Sequence, residues 1–572
     1  MTSEPKQSVP QSSATSRAVW IVLAVVGLVI ACLTHDAPGS WADASRLAAI
    51  ESLAERGTLA IDDSTYFWQG DKVWFEPHYY SHQPPMLAIL GAVPYGLLHH
   101  GLGLDIDSDW TYRLLSIALT GVPVWLGLWA LGRLARRAGA RPLPSAICVA
   151  IAALATILLP YSVVLNQHGT AAGLVLLAIA AVDARRSATA GLLLALAATI
   201  DMTAMFPALA MCWPVIANGG LKGLLKYVGG AILPLAVHCA VNLHVAGDLV
   251  PFSLHREAFE YPMSPFLLSS LTGVDQPLLS LERAVYVWGS TFGASGLFSH
   301  HPILLAAVVC GCLLPFVRRA DTSADGLSRG VLGATALGSA GIAAFYLTSS
   351  NNYSGSAFGM RWFAVFAPVL LLFPAALFGR LTAAGRPSVP GPGLSATLAV
   401  LALWSSAAAL LGVVNPWAKF HYRWQDSPVG RVAGPDTPVP TLREHWEAEW
   451  ARIHNRPVID REQYDLTYQR MLDQHRRLYL RPTPWLDSEQ RTEWLDEGLE
   501  KLQTVVDWLD RDETPVFSRP AGHFWLGKFH AERGQWGLAR REYETAASLA
   551  PNWRDPAVAL QNLGPRGLNA GG

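Results

Sequence analysis

Asp43 and Arg46 stand three residues apart in Trp41-Ala-Asp-Ala-Ser-Arg-Leu-Ala-Ala-Ile50, and the same polar loop continues to Tyr79-Tyr80-Ser81-His82-Gln83-Pro84-Pro85. A carboxylate in such a pair can take a proton from a hydroxyl, and a guanidinium can neutralise a phosphate that it meets bidentately. The residue types also allow a structural role, because Ser40-x-x-Asp43 is a capping box at the start of a predicted helix over Trp41 to Arg56. Arg46 can simply pair with Asp43 or Glu51. Further guanidinium groups are Arg113, after Asp109-Trp110, and Arg361, in Tyr353-Ser-Gly355-Ser-Ala-Phe358-Gly359-Met-Arg361-Trp362. Arginine near a membrane surface commonly snorkels to headgroups. Gly355 and Gly359 weigh towards ligand binding by Arg361, since glycine lets backbone approach a ligand closely. Asn166, Gln167 and His168 form a polar turn after Pro160-Tyr161, and Asp201 is a carboxylate inside an apolar stretch, a functional position unless it ends a helix. His78 and His82 have i, i+4 spacing, but Pro77 and the aromatic run argue against a helix that presents both to a metal. No cofactor is expected, and a divalent metal is not indicated.

The elements that must hold these groups are membrane helices. The 572 residues are 51% hydrophobic and only 15% charged, with mean hydropathy +0.25, too apolar for one large soluble domain. The net charge of −1 offers no basic surface for nucleic acid. The six cysteines all fall in apolar segments, with no disulfide framework or paired-cysteine metal motif. Apolar segments run at 18–33, 85–101, 112–131, 143–160, 169–183, 187–201, 204–217, 226–245, 302–316, 330–347, 362–378 and 395–413. The first reads as an anchor rather than a cleaved signal, although Val29-Ile30-Ala31-Cys32 resembles a lipoprotein processing box. Basic clusters at Arg133–Arg141, Arg185-Arg186, Lys222 with Lys226, Arg318-Arg319 with Arg329, and Arg380 with Arg386 share one side only if 85–101 does not cross. The positive-inside rule then leaves about eleven spans, with 85–101 lying along the outer face as a juxtamembrane or re-entrant helix.

The expected fold is therefore an all-α polytopic membrane protein followed by a small α-helical soluble domain. Its parts are a cytoplasmic tail 1–17, a membrane domain 18–414 with outer loops 34–111 and 246–301, and an extracytoplasmic domain 415–572. Within the last, residues 520–553 place Leu526, Gly527, Gly534, Ala539, Tyr543, Ala546 and Pro551 as one tetratricopeptide unit does. One repeat cannot bury its apolar face alone, so it should pack on the preceding helix around Trp494 to Trp508.

The Asp43-x-x-Arg46 helix followed by Tyr80-x-x-Gln83-Pro84-Pro85 resembles the first loop of glycosyltransferases of the GT-C superfamily that use lipid-linked sugars. Aminoarabinose transferases and protein mannosyltransferases are its best-known members. The alignable part is mainly the first 140 residues, where Arg113 also matches an arginine that opens the next span in this group. Gly296-Leu297-Phe298-Ser299-His300-His301-Pro302 and the stretch around Arg361 are similar to bacterial members of the superfamily. The resemblance implies that Asp43 deprotonates an acceptor while sugar leaves a polyprenyl phosphate, with Arg46, Tyr80, His82, Gln83, Arg113, His168 and Arg361 around the substrate and its phosphate. The chain departs from the pattern at Gln83, where the family has lysine, and glutamine cannot neutralise a phosphate.

The leading expectation is an integral glycosyltransferase of the bacterial inner membrane, acting at the outer face on an envelope, protein or lipid acceptor. Its partners would be membrane lipids, a polyprenyl-phosphate sugar and a protein held by the repeat-like tail. A catalytically silent scaffold of the same fold is the alternative that Gln83 favours. Secondary transport predicts paired half-helices and an internal repeat, and only the pair 187–201 and 204–217 around Asp201-Met-Thr203 has that look.

Overall fold

The computed structural model describes residues 16–66, 70–259, 281–293, 295–317, 327–350, 352–355, 357–384, 391–417, 472, 479–480, 488–511, 518–551 and 553–564. The chain divides into two compact units. The first comprises Met1–Phe67, Phe75–His255 and Leu268–Pro438, and the second Trp68–Trp74, Arg256–Leu267 and Val439–Gly572. The expected tail 1–17, the middle of loop 246–301, the basic pair Arg318-Arg319, Arg386 and the start of the domain expected from 415 fall largely outside the described residues.

The first unit is almost wholly helical. The short strand β1 (Lys72–Phe75) falls mostly in the second unit, and the first opens with α1 (Arg17–Leu33), α2 (Trp41–Arg56), the short strand β2 (His78–Ser81) and α3 (Met86–Leu102). Next come α4 (Asp109–Ser116) and α5 (Val122–Arg137), fused by a π-helical turn at Ile117–Gly121, then α6 (Pro142–Leu154), α7 (Gln167–Asp183) and α8 (Ser187–Ile200). The stretch α9 (Met205–Val245) breaks at Gly220, whose φ of 56° and ψ of −156° are not helical, so it is two helices in line. The unit continues with α10 (Leu281–Thr291), α11 (Leu297–His300), α12 (Pro302–Leu313), α13 (Arg329–Ser349), α14 (Leu372–Ala383) and α15 (Pro392–Val414).

Among the described residues, four helical stretches are long and apolar enough to cross a membrane: Asp109–Arg137, Met202–Val245, Arg329–Ser349 and Pro392–Val414. Seven other apolar helices, including Arg17–Leu33 and Met86–Leu102, are shorter than the ~20 residues of a perpendicular span. Large apolar side chains stand exposed along these helices, Leu209, Trp213, Leu221, Leu225 and Leu233 among them, as a lipid-facing surface requires.

Three apolar segments differ from uniform helices. The stretch 143–160 is helical only to Leu154, because Thr156 turns its hydroxyl onto the Ala152 carbonyl and the chain then runs in turns to Asn166. The stretch 362–378 begins as 3-10 turns at Arg361–Val365 and Ala367–Leu371 before α14 starts. In the stretch 112–131 a π turn at Ile117–Gly121 precedes Pro123, which has no N–H for the Leu119 carbonyl four residues back, and Thr170 of α7 donates its hydroxyl to that carbonyl at 2.7 Å.

The predicted helix over Trp41 to Arg56 forms as α2, and it is enclosed on all sides. Every residue from Ala42 to Ser52 is buried, polar ones included. Helix α3 packs against it so closely that a Cβ on Gly91 would stand 2.7 Å from Ile50. The turn before α7 touches it through Leu165, and α7 itself through its first residue, Gln167. Enclosure by protein, rather than one face laid on a bilayer, is what gives α2 its uniform burial.

In the second unit α16 (Ser488–Arg511) packs on α17 (Ser518–Glu532), burying Leu502, Val505, Val506 and Leu509 with Leu526 and Phe529. Helix α17 pairs with α18 (Trp536–Leu549), and α19 (Arg554–Leu563) closes a second cluster of Phe524, Ala539, Tyr543, Ala546 and Leu563. The repeat-like pattern over 520–553 thus lies on a helix pair whose first member leans on α16.

Candidate functional site

Ser40 caps α2: its hydroxyl accepts from the Asp43 N–H at 3.1 Å, and the Asp43 carboxylate reaches back to the Gly39 N–H. That carboxylate is fully buried. Oδ2 accepts from the Tyr112 hydroxyl at 3.1 Å and the Gly39 N–H at 3.3 Å, and Oδ1 faces Arg46 Nη1 at 3.4 Å. Tyr112 is itself held, accepting from the Leu165 N–H at 3.3 Å. Burial pushes the Asp43 carboxyl up to about 6, against the lowering influence of Arg46, the two hydrogen bonds and Arg361. A carboxylate at that value is a stronger base than an ordinary one, yet is mostly ionised at neutral pH.

Arg46 is almost completely buried, and its terminal nitrogens face oxygens of the protein itself. Nη1 donates to the carbonyls of Ala42 at 3.0 Å and Leu165 at 3.1 Å, while Nη2 donates to Gln83 Oε1 at 2.7 Å and to Gln167 Oε1. This arrangement gives Gln83 a physical reason. A lysine ammonium at that place would face a buried guanidinium, whereas the glutamine carbonyl accepts from it. Ser81 steadies the same corner, its hydroxyl 2.6 Å from that of Ser45 and accepting from the Gln83 N–H at 3.2 Å.

Arg361 differs from Arg46 in what surrounds it. Its charge acts on Asp43, and also on Tyr161 and His168. No side-chain N–H of Arg361 has an acceptor among the described residues, and its Nε is buried without one. The guanidinium lies over the Trp417 ring, 5.2 Å from the centroid. Trp417 is fixed from below: Tyr161 packs on it at 5.8 Å and donates its hydroxyl to the carbonyls of Phe358 at 2.8 Å and Pro416 at 3.0 Å. The loop that delivers Arg361 is strained, since Tyr353 and Ser354 have φ of 50° and 63° before Gly355 at 70°. Consecutive non-glycine residues in the left-handed region cost free energy that the surroundings must offset, and such segments cluster at functional sites. The Ser354 hydroxyl offsets part of it by donating to the Gly359 carbonyl at 3.1 Å and accepting from the Arg361 N–H at 3.2 Å.

A second buried pair joins this neighbourhood. His168 Nδ1 lies 2.5 Å from Asp201 Oδ2, both side chains nearly inaccessible. Asp201 ends α8 and caps the next turn, accepting from the Thr203 N–H and hydroxyl. Tyr346 of α13 is hydrogen-bonded to Thr203 and feels the charges of Asp201 and Arg361.

The structure thus brings together Asp43, Arg46 and Gln83, and links them through Gln167 and the Arg361 charge to His168. It does not bring Arg113 or Tyr80 into contact with them. Arg113 donates from Nε to the Thr34 carbonyl at 3.2 Å and lies over Trp110, tying α4 to the end of α1. Tyr80 is half-buried against the Phe75 and Phe252 rings, each 6.4 Å away. His82 is half-buried just beyond β2, and His78 pairs instead with Asp62 at 3.1 Å. Among the described residues no three potential metal ligands converge. Tyr112, Tyr161 and Trp417 escaped sequence reasoning. Tyr112 had a signal, lying beside Arg113, but Trp417 had none, standing just past the last apolar segment.

No known protein family matches the chain, and no characterised protein matches it either.

Proposed function

We propose that the protein is an integral-membrane glycosyltransferase of the bacterial inner membrane, moving a sugar from a polyprenyl phosphate to a hydroxyl-bearing envelope, protein or lipid acceptor at the outer face. About eleven spans carry the site, with α2 and α3 on the outer side and the C-terminal unit extracytoplasmic. The observation that carries the reading is a buried carboxylate pushed up to about 6 within reach of the charge of a guanidinium that has no acceptor among the described residues. Asp43 takes the proton of the acceptor hydroxyl as its oxygen bonds to the anomeric carbon. The bond from that carbon to the phosphate oxygen breaks, and the electron pair leaves with the polyprenyl phosphate. Arg361 stabilises the charge gathering on the phosphate, its planar fork matched to two oxygens. Arg46, already bonded to five protein oxygens, orients Asp43 and Gln83. Proton loss from Asp43 to water at neutral pH then resets the site.

Membranes containing the protein, given labelled polyprenyl-phosphate hexoses and acceptor fractions, test this. Asp43→Asn should lower transfer on the order of 10²- to 10⁴-fold. Arg361→Lys should lower it roughly 10-fold or more, since an ammonium keeps the charge but not the bidentate geometry. Undiminished transfer by Asp43→Asn sinks the assigned base. Absence of transfer by the unmodified protein with every donor and acceptor fraction favours instead the silent scaffold.

A further inference from the structure

His168 carries a chemical preference of its own. It stands in the first turn of α7, where Asn166 Oδ1 accepts from the N–H groups of His168 at 2.9 Å and Gly169 at 3.3 Å, so the backbone beneath the ring is fixed. Asp201 fixes the ring, because its Oδ2 can only accept from Nδ1 when ionised, and its Oδ1 is already held by Thr203 at 2.7 and 3.1 Å. In the neutral imidazole the proton therefore resides on Nδ1, and Nε2 keeps its lone pair. No described residue hydrogen-bonds Nε2.

The groups nearby are mostly donors or consumed acceptors. Arg361 offers N–H groups, Arg46 is spent on protein oxygens, and Asp43 Oδ2 already accepts from Tyr112 and Gly39. The charges of both arginines act on the His168 ring, and Gln167, the residue before it, accepts from Arg46. An anionic phosphate has no proton to give a lone-pair nitrogen, whereas a sugar hydroxyl does. We infer that His168, oriented by Asp201, is a positioning residue that accepts a hydrogen bond from one ring hydroxyl of the transferred sugar. The site then selects donors that carry that hydroxyl. This rests on the glycosyl-transfer reading above.

The test uses the full-length protein in membranes with a polyprenyl-phosphate hexose and its singly deoxygenated analogues. For the unmodified protein kcat/KM should fall on the order of 10- to 100-fold for one analogue, because a buried acceptor loses its partner. His168→Ala should transfer the intact sugar at about that lowered rate and no longer distinguish it from that analogue. His168→Gln, which retains an acceptor oxygen, should recover part of both rate and discrimination, an outcome that a merely structural role does not produce. Equal discrimination against all analogues by the unmodified protein and both variants overturns the inference while leaving glycosyl transfer intact. No transfer by the unmodified protein overturns the underlying reading and this inference with it.

Discussion

Asp43→Asn tests the buried-base argument on stability as well as activity. The carboxyl is raised from 3.8 to about 6 by burial. At 1.36 kcal/mol per pKa unit, ionising it inside the fold costs about 3 kcal/mol more than in the unfolded chain. Because the folded value lies above the unfolded one, protonated Asp43 stabilises the fold fully below about pH 4, and that stabilisation is lost as pH rises through about 6. Roughly 1.4 kcal/mol of it disappears between pH 5 and 8 by the same linkage. Asparagine keeps the shape and cannot ionise, so the variant is spared this loss. Thermal unfolding of both proteins in one detergent should therefore show the melting temperature of Asp43→Asn gaining on that of the unmodified protein by a few degrees from pH 5 to pH 8. The base limb of the transfer rate should fall near pH 6 over the same interval. Parallel melting curves, with no relative gain, would refute the burial argument, and a transfer rate independent of pH from 5 to 7 would refute the assigned base.

Gln83→Lys, which restores the residue of the resembling family, should lower stability by roughly 1–3 kcal/mol and give no gain in transfer, because it sets an ammonium against buried Arg46; increased transfer would show that the glutamine is a lost phosphate partner. In the second unit His523 bonds Glu542 from Nδ1 at 2.7 Å and Asp510 from Nε2 at 3.0 Å, and both carboxylates hold its pKa above the usual 6.5 despite burial. The tie between α16, α17 and α18 is thus complete below about pH 6.5 and lost as pH rises through the raised value. Hydrogen exchange over 518–549 in the full chain should accelerate between pH 6 and 9 beyond the intrinsic rate, and His523→Gln should remove the excess. For the topology, a tag at residue 103 should be reachable from outside intact cells and one at residue 139 should not; an internal tag at 103 makes Met86–Leu102 a span and reverses the sides assigned after it.

Local chemistry was legible before any fold was known. Composition announced apolar helices, the Ser40 capping box opened α2 where it begins, and the pairing of Asp43 with Arg46 follows from a three-residue spacing on one helix. Helix breaks were less legible. The early end of α6 at Leu154 depends on where the Thr156 hydroxyl bonds, and the Leu119 carbonyl, left without a helical donor by Pro123, finds one only in a hydroxyl from α7; hydropathy encodes neither bond.

By itself, then, the sequence determined which groups are available: a carboxylate and a guanidinium on one turn, arginines at 113 and 361, and a histidine after an asparagine cap. Only the tertiary structure decided their states. Tertiary packing buries Asp43 and raises its pKa, Leu165 and Gln167 from more than a hundred positions away give Arg46 two of its oxygens, and Arg361 lies over Trp417 with no acceptor among the described residues. Desolvation and hydrogen-bond satisfaction depend on every neighbour in space, so no spacing along the chain can reveal them.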